Sequence, residues 1–163
     1  MKAGRTKLER QTELVKLLKT LNEPTLVFCG SPARANKIAE RLVEELFEAH
    51  QQESDLADWL AENYHPDWIV AKALRCGIGI HHGKLPRSIA QQMVRLFDEG
   101  RISKLICTST LIAGVNTKAK NVVVFDNKIA NKKIDHFTFN NIKGRSGRMF
   151  KHFIGRVLSL IHI

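Results

Sequence analysis

Leu105-Ile106-Cys107-Thr108-Ser109-Thr110-Leu111-Ile112-Ala113-Gly114-Val115-Asn116 opens on an apolar run, passes through three hydroxyl side chains and closes in Gly-Val-Asn. A short apolar run of this kind reads as a strand buried on both faces of a parallel sheet, beginning near Lys104. Hydroxyls at the carboxyl end of such a strand, just before a helical turn, can bond phosphate oxygens or cap the helix. Both uses can coexist.

Working outward, the same pattern recurs. Residues 25–29 (Thr-Leu-Val-Phe-Cys), 76–81 (Cys-Gly-Ile-Gly-Ile-His) and 122–125 (Val-Val-Val-Phe) read as further buried strands, and residues 155–161 suit one more. Amphipathic helices are predicted over 6–21, 33–50 and 86–99. In the first, Leu8, Leu14, Val15, Leu17, Leu18 and Leu21 form the apolar stripe, and Asn22-Glu23-Pro24 stops it. Ser31 is a candidate N-cap for the second, with Pro32 at its first position. Two short helices around Trp59 and Trp68, parted at His65-Pro66, are predicted within 51–75. Aromatics at such spacing are more often core than a stacking platform. Residues 128–133 read as a basic loop, followed by a helix-like segment from Ile134.

Downstream lies Asn140-Asn141-Ile142-Lys143-Gly144-Arg145-Ser146-Gly147-Arg148. If this segment is helical, Arg145 and Arg148 share a face, while the glycines admit a phosphate or a second backbone. Upstream lies Gly79-Ile80-His81-His82-Gly83. Taken in order, the three blocks resemble the C-terminal half of a superfamily 2 helicase, and more narrowly the DExH group related to the superkiller and DNA-repair helicases. In that group motif V reads T-S-T-L-x-x-G-V-N and motif VI reads G-R-x-G-R, and the combination is far more specific than any block alone.

The resemblance implies an α/β RecA-like domain of the P-loop NTPase type, with a mainly parallel sheet and helices on both faces. It implies that residues 1–24 are a linker helix from a preceding RecA-like domain and that 25–163 are the helicase C-terminal domain, with 51–75 as an insertion. Arg145 and Arg148 would be catalytic arginine fingers, and Gly114, Asn116 and Gly144 would approach the nucleotide. Thr108, with Ser109 and Thr110, would contact the backbone of single-stranded RNA or DNA, as would Gly83 and Ser31. Lys84 and Arg87, near the start of the helix predicted over 86–99, are phosphate candidates on charge and position. Pro32 stands where relatives often carry Arg, and Ala90 where they commonly carry Arg.

ATP hydrolysis in that superfamily needs a phosphate loop and acidic residues that hold magnesium. Gly83-Lys84 is followed by Leu85 rather than Ser or Thr, and Ile78 stands where the leading glycine would fall. ATP and Mg2+ are therefore expected mainly on the preceding domain, with this fragment inactive alone. The competing reading is a non-catalytic nucleic-acid-binding or protein-interaction module of the same fold.

Composition sets the bounds. At 163 residues the chain suffices for one domain with a core and is too short for a two-domain motor. Its net charge of +10 is uneven: residues 1–100 hold 14 basic and 14 acidic side chains, residues 101–163 hold 12 basic ones against Asp126 and Asp135. The surplus thus falls on the half carrying motifs V and VI, where it would attract polyanions. No apolar run reaches membrane-spanning length, so a cytoplasmic protein without a membrane partner is expected. Cys29, Cys76 and Cys107 lack metal-ligand spacing and read as reduced thiols. His81 and His82 are adjacent, but neighbouring strand side chains point to opposite faces, so no metal site is expected.

Overall fold

The computed structural model describes residues 6–48, 51–114, 118–126, 128–129, 132–135 and 156–159, with backbone alone for 112–114 and 156–159. In chain order the elements are α1 (Lys7–Thr20), β1 (Thr25–Phe28), α2 (Pro32–Leu46), α3 (Asp55–Asn63), α4 (Ile69–Arg75), β2 (Ile78–His81) and α5 (Arg87–Asp98). Then come β3 (Lys104–Cys107), α6 (Ser109–Gly114), β4 (Asn121–Val124), β5 (Lys128–Ile129), β6 (Lys132–Lys133) and β7 (Arg156–Ser159).

Five strands form one sheet in the order β2-β3-β1-β4-β7, and every pairing in it is parallel. Parallel pairing demands crossovers, and between β1 and β4 helices supply them and flank the sheet. That explains the strand composition: β1, β2 and β4 are buried at all four positions, as apolar runs without alternation require. The basic segment expected as a loop instead contains an antiparallel hairpin, β5 with β6.

Helix ends follow local chemistry. A capping box starts α1: Glu9 N–H donates to the Thr6 hydroxyl at 3.3 Å, and Thr6 N–H donates to the Glu9 carboxylate at 2.6 Å. Leu14, Val15 and Leu18 of α1 are buried, and Lys19 pairs with Glu45 of α2 at 3.1 Å. Leu8, expected on the apolar stripe, is instead 61% exposed. In α2 the buried stripe is Ala35, Ile38, Ala39, Leu42, Val43 and Leu46, and the helix ends there, earlier than expected. Phe47, which follows, is 37% exposed and caps the helix, its N–H donating to the Val43 carbonyl at 2.8 Å. Gly100 closes α5 at φ 74°, a left-handed conformation in which Arg101 N–H can reach back to the Leu96 carbonyl at 2.9 Å.

The core is one cluster shared by the sheet, α1, α2, α4 and α5, with Phe28, Phe97, Phe125, Leu18 and Met93 among its largest fully buried members. Cys29 and Cys107 are buried free thiols and Cys76 is half-buried. Among the described residues, no helix is long and apolar enough to cross a membrane.

The position of Leu18 makes α1 an integral part of this core. Leu18→Ala should destabilise the chain by about 3 kcal/mol, whereas Leu8→Ala should cost under about 0.5 kcal/mol. Urea unfolding of the two variants measures the difference, and equal midpoints would place α1 outside the cooperative unit.

Candidate nucleic-acid interface

Because the sheet is parallel, the carboxyl ends of its strands all lie at one edge. Across the adjacent strands β2, β3 and β1 this edge carries His82-Gly83-Lys84, Thr108-Ser109-Thr110 and Cys29-Gly30-Ser31 in turn. Hydrogen bonding continues past the strand ends. Thr108 N–H donates to the His81 carbonyl (3.2 Å), Cys29 N–H to the Cys107 carbonyl (2.8 Å) and Phe125 N–H to the Phe28 carbonyl (3.0 Å). The turns are thereby held in fixed register.

Six of the seven candidate nucleic-acid residues fall on these turns, and the seventh, Arg87, opens α5 just beyond. Thr108 is buried and its hydroxyl lies 3.4 Å from that of Thr110, which is exposed; Ser109 is half-buried at the first position of α6. Gly83 sits against this group, since a Cβ added there would lie 3.3 Å from the Thr110 hydroxyl oxygen. The β2 and β3 turns thus form one continuous surface. Lys84 and Arg87 are exposed beside it. The Ser31 hydroxyl accepts the Arg34 N–H at 3.3 Å and caps α2, so its first use is structural.

Of the two histidines, His82 is held as part of the framework. His82 Nδ1 accepts the Lys84 N–H at 3.3 Å and its Nε2 lies 3.1 Å from Asn36 Oδ1, an arrangement satisfied by the neutral ring protonated at Nε2. Burial lowers the pKa of both His81 and His82, opposing the charged form. Among the described residues no three His, Cys, Asp or Glu side chains converge on a metal position.

A cluster that sequence reasoning missed supports the β1 and β4 ends. Arg34 donates Nε to Asp126 Oδ2 (2.7 Å) and Nη2 to Oδ1 (2.6 Å), while Gly30 N–H also reaches Oδ2 at 2.9 Å. The hydrogen bond to Asp126 holds the Arg34 pKa above its ordinary value. Arg34 also lies over the Phe125 ring at 5.4 Å, and Arg10 of α1 lies over the same ring at 5.0 Å while bonding the Phe125 carbonyl. Gly30 is required sterically: a Cβ there would stand 2.0 Å from the Lys128 carbonyl oxygen. The available signals were an acid at a strand's carboxyl end and an arginine in a helix's first turn, but they lie 92 residues apart.

Gly114 is the last residue of α6, whereas Asn116, Gly144, Arg145 and Arg148 lie outside the described residues. Magnesium requires near-octahedral oxygen ligands, commonly one or two carboxylates. Asp126, the buried acid at this edge, is already committed to Arg34 and Gly30, so the described part of the chain does not fit a magnesium cage.

Comparison with solved structures decides the architecture. The C-terminal domain of the DEAD-box protein Dbp5 superposes with a TM-score of 0.67 and 22% identity, covering 97% of this chain and 72% of that one. The fold is that of a helicase C-terminal RecA-like domain. No protein-family model matches the sequence. Among curated relatives, anti-bacteriophage protein B of Escherichia coli K12 is 44% identical over 141 residues, covering 86% of this chain and 19% of that protein. ATP-dependent DNA helicase Hel308 of Pyrococcus horikoshii is 30% identical over 133 residues, covering 76% of this chain and 18% of that one. The RecA-like domain described here thus spans about a fifth of the length of these relatives.

Two measurements check the geometry of this domain. In a double-mutant cycle of Asp126→Asn and Arg34→Gln, thermal unfolding should give a coupling of about 1–2 kcal/mol, the lower part of the buried range because water reaches the guanidinium. For His82, a folded pKa below the unfolded value of about 6.5 means that the unfolded chain binds protons first as pH falls. That stability is present above about pH 6.5 and is lost as pH falls through the folded pKa. His82→Asn, which can still donate to Asn36, should therefore flatten the fall in Tm as pH drops below about 6.5.

Proposed function

We propose that this chain is the C-terminal motor domain of an ATP-dependent superfamily 2 helicase or translocase of the DExH group, acting on single-stranded RNA or DNA. The observation that carries the reading is the convergence of Gly83, Lys84, Thr108, Ser109 and Thr110 at the carboxyl edge of neighbouring strands β2 and β3. Two turns of hydroxyls, exposed backbone and a lysine on a rigid sheet edge suit contacts to successive backbone phosphates, which position a strand without reading its bases. The similarity to proteins named as helicases supports the same assignment.

In this reading α1 leads in from a preceding RecA-like domain that holds ATP and Mg2+, and the two domains form a cleft. Gly114, Asn116 and Gly144 approach the nucleotide, while Arg145 and Arg148 supply positive charge to the phosphoryl group in transfer. A planar guanidinium suits that role better than an ammonium, because it can engage two oxygens at once. Closure and opening of the cleft, with Thr108 and its neighbours gripping the strand, becomes stepping. Without the partner domain the fragment hydrolyses nothing. The protein works in the cytoplasm and requires no membrane.

The test is made in the full-length protein. Arg148→Ala should lower strand-stimulated ATP hydrolysis by about 10³-fold or more while leaving single-strand affinity within about threefold. Thr108→Val should do the reverse, weakening strand binding and the stimulation it causes with little effect on the basal rate. Normal turnover in Arg148→Ala would sink the motor reading and favour a non-catalytic binding module.

A further inference from the structure

Helix α3 has two unlike faces. Ala57 and Leu60 are fully buried and Leu56 and Ala61 pack against the core, whereas Asp55, Asp58, Trp59 and Glu62 are exposed. Positions 55, 59 and 62 share one face at helical spacing, which puts a carboxylate about one turn to either side of the Trp59 indole.

Trp59 does not stand alone. Its ring meets Tyr64 edge-on at 6.1 Å, and Tyr64 stacks on Trp68 at 4.9 Å. Trp68 is partly buried against the core, while Trp59 and Tyr64 remain 50% and 49% exposed. The result is a ladder of rings anchored at its inner end and open at its outer one. Prepositioned Trp and Tyr of this kind lose little conformational freedom on contact and are enriched where binding energy concentrates.

Charge decides what the ladder faces. In a chain of net charge +10, residues 51–75 hold five acidic side chains against two basic ones. Both of those bases are already engaged, Arg75 with Asp58 at 2.8 Å and Lys72 with Asp67 at 2.9 Å. Asp55 and Glu62, which flank Trp59, make no ion pair among the described residues. A nucleic-acid strand stacked here would bring phosphates beside carboxylates, with both bases of residues 51–75 already paired. A guanidinium instead gains the ring faces and the carboxylates together.

We propose that the outer face of α3 and its turn into α4 form a docking surface for an arginine-bearing segment of a partner protein, with Trp59 and Tyr64 as the stacking platform and Asp55 and Glu62 as the charge partners. The surface is separate from the carboxyl-edge turns and does not depend on their assignment.

Fluorescence anisotropy of a fluorescein-labelled peptide of alternating arginine and glycine, titrated with the full-length protein, tests this. Saturable binding is expected, weakened about tenfold by Trp59→Ala and similarly by Asp55→Asn with Glu62→Gln, a pair that keeps the side-chain shapes. Affinity for labelled oligothymidylate should be unchanged by Trp59→Ala. Absence of peptide binding, or peptide binding indifferent to both variants, would overturn the proposal. So would a loss of oligothymidylate affinity in Trp59→Ala, which would make the ladder a base-stacking platform instead.

Discussion

Parallel strand pairing governs this molecule. Two strands that run the same way cannot be joined by a tight turn, so each must be followed by a crossover, and the crossovers cover the faces of the sheet. The strands therefore become short apolar runs buried on both sides, and the polar residues are driven to the strand ends. Those ends collect at a single edge, where Gly83, Thr108 and Ser31 become neighbours although they lie far apart in sequence. The candidate interface is thus a product of topology before it is a product of any one motif.

A second constraint is electrostatic. A carboxylate buried at a sheet edge must find donors, and Asp126 finds a bidentate guanidinium and a backbone N–H. This arrangement also fixes the β1 to α2 turn against the end of β4, so the loop bearing Ser31 is held by charge as well as by packing. The absence of a side chain at Gly30 lets the Lys128 carbonyl close over that turn. By contrast, Asp55 and Glu62 lie on an exposed face, where water carries their solvation cost.

Much of this was legible in the sequence. Four apolar runs and a fifth near the C-terminus correspond to β1, β2, β3, β4 and β7; for β1, β2 and β4 the reason is burial at every position, which leaves a block of mostly apolar residues in the sequence. Ser31 as a cap followed from a serine placed before proline. The β5–β6 hairpin was not legible, since each strand is two residues long and, apart from the half-buried Ile129, they consist of lysines that impose no alternating pattern. The Asp126–Arg34 pair was equally hidden, because long-range ion pairs leave no local periodicity. Trp59 misled for a related reason: spacing shows that aromatics share a side of a helix but not whether that side faces inward.

Helix α1 runs the full height of the sheet and is pinned at both extremes. Near its start Arg10 holds the Phe125 carbonyl at the carboxyl edge, and just past its end the Leu21 carbonyl receives the Lys104 ammonium at 3.1 Å, at the opposite edge. With 14 residues spanning about 21 Å, α1 acts as a brace. It cannot slide along the sheet without breaking both attachments, so helix and sheet are held together as one body.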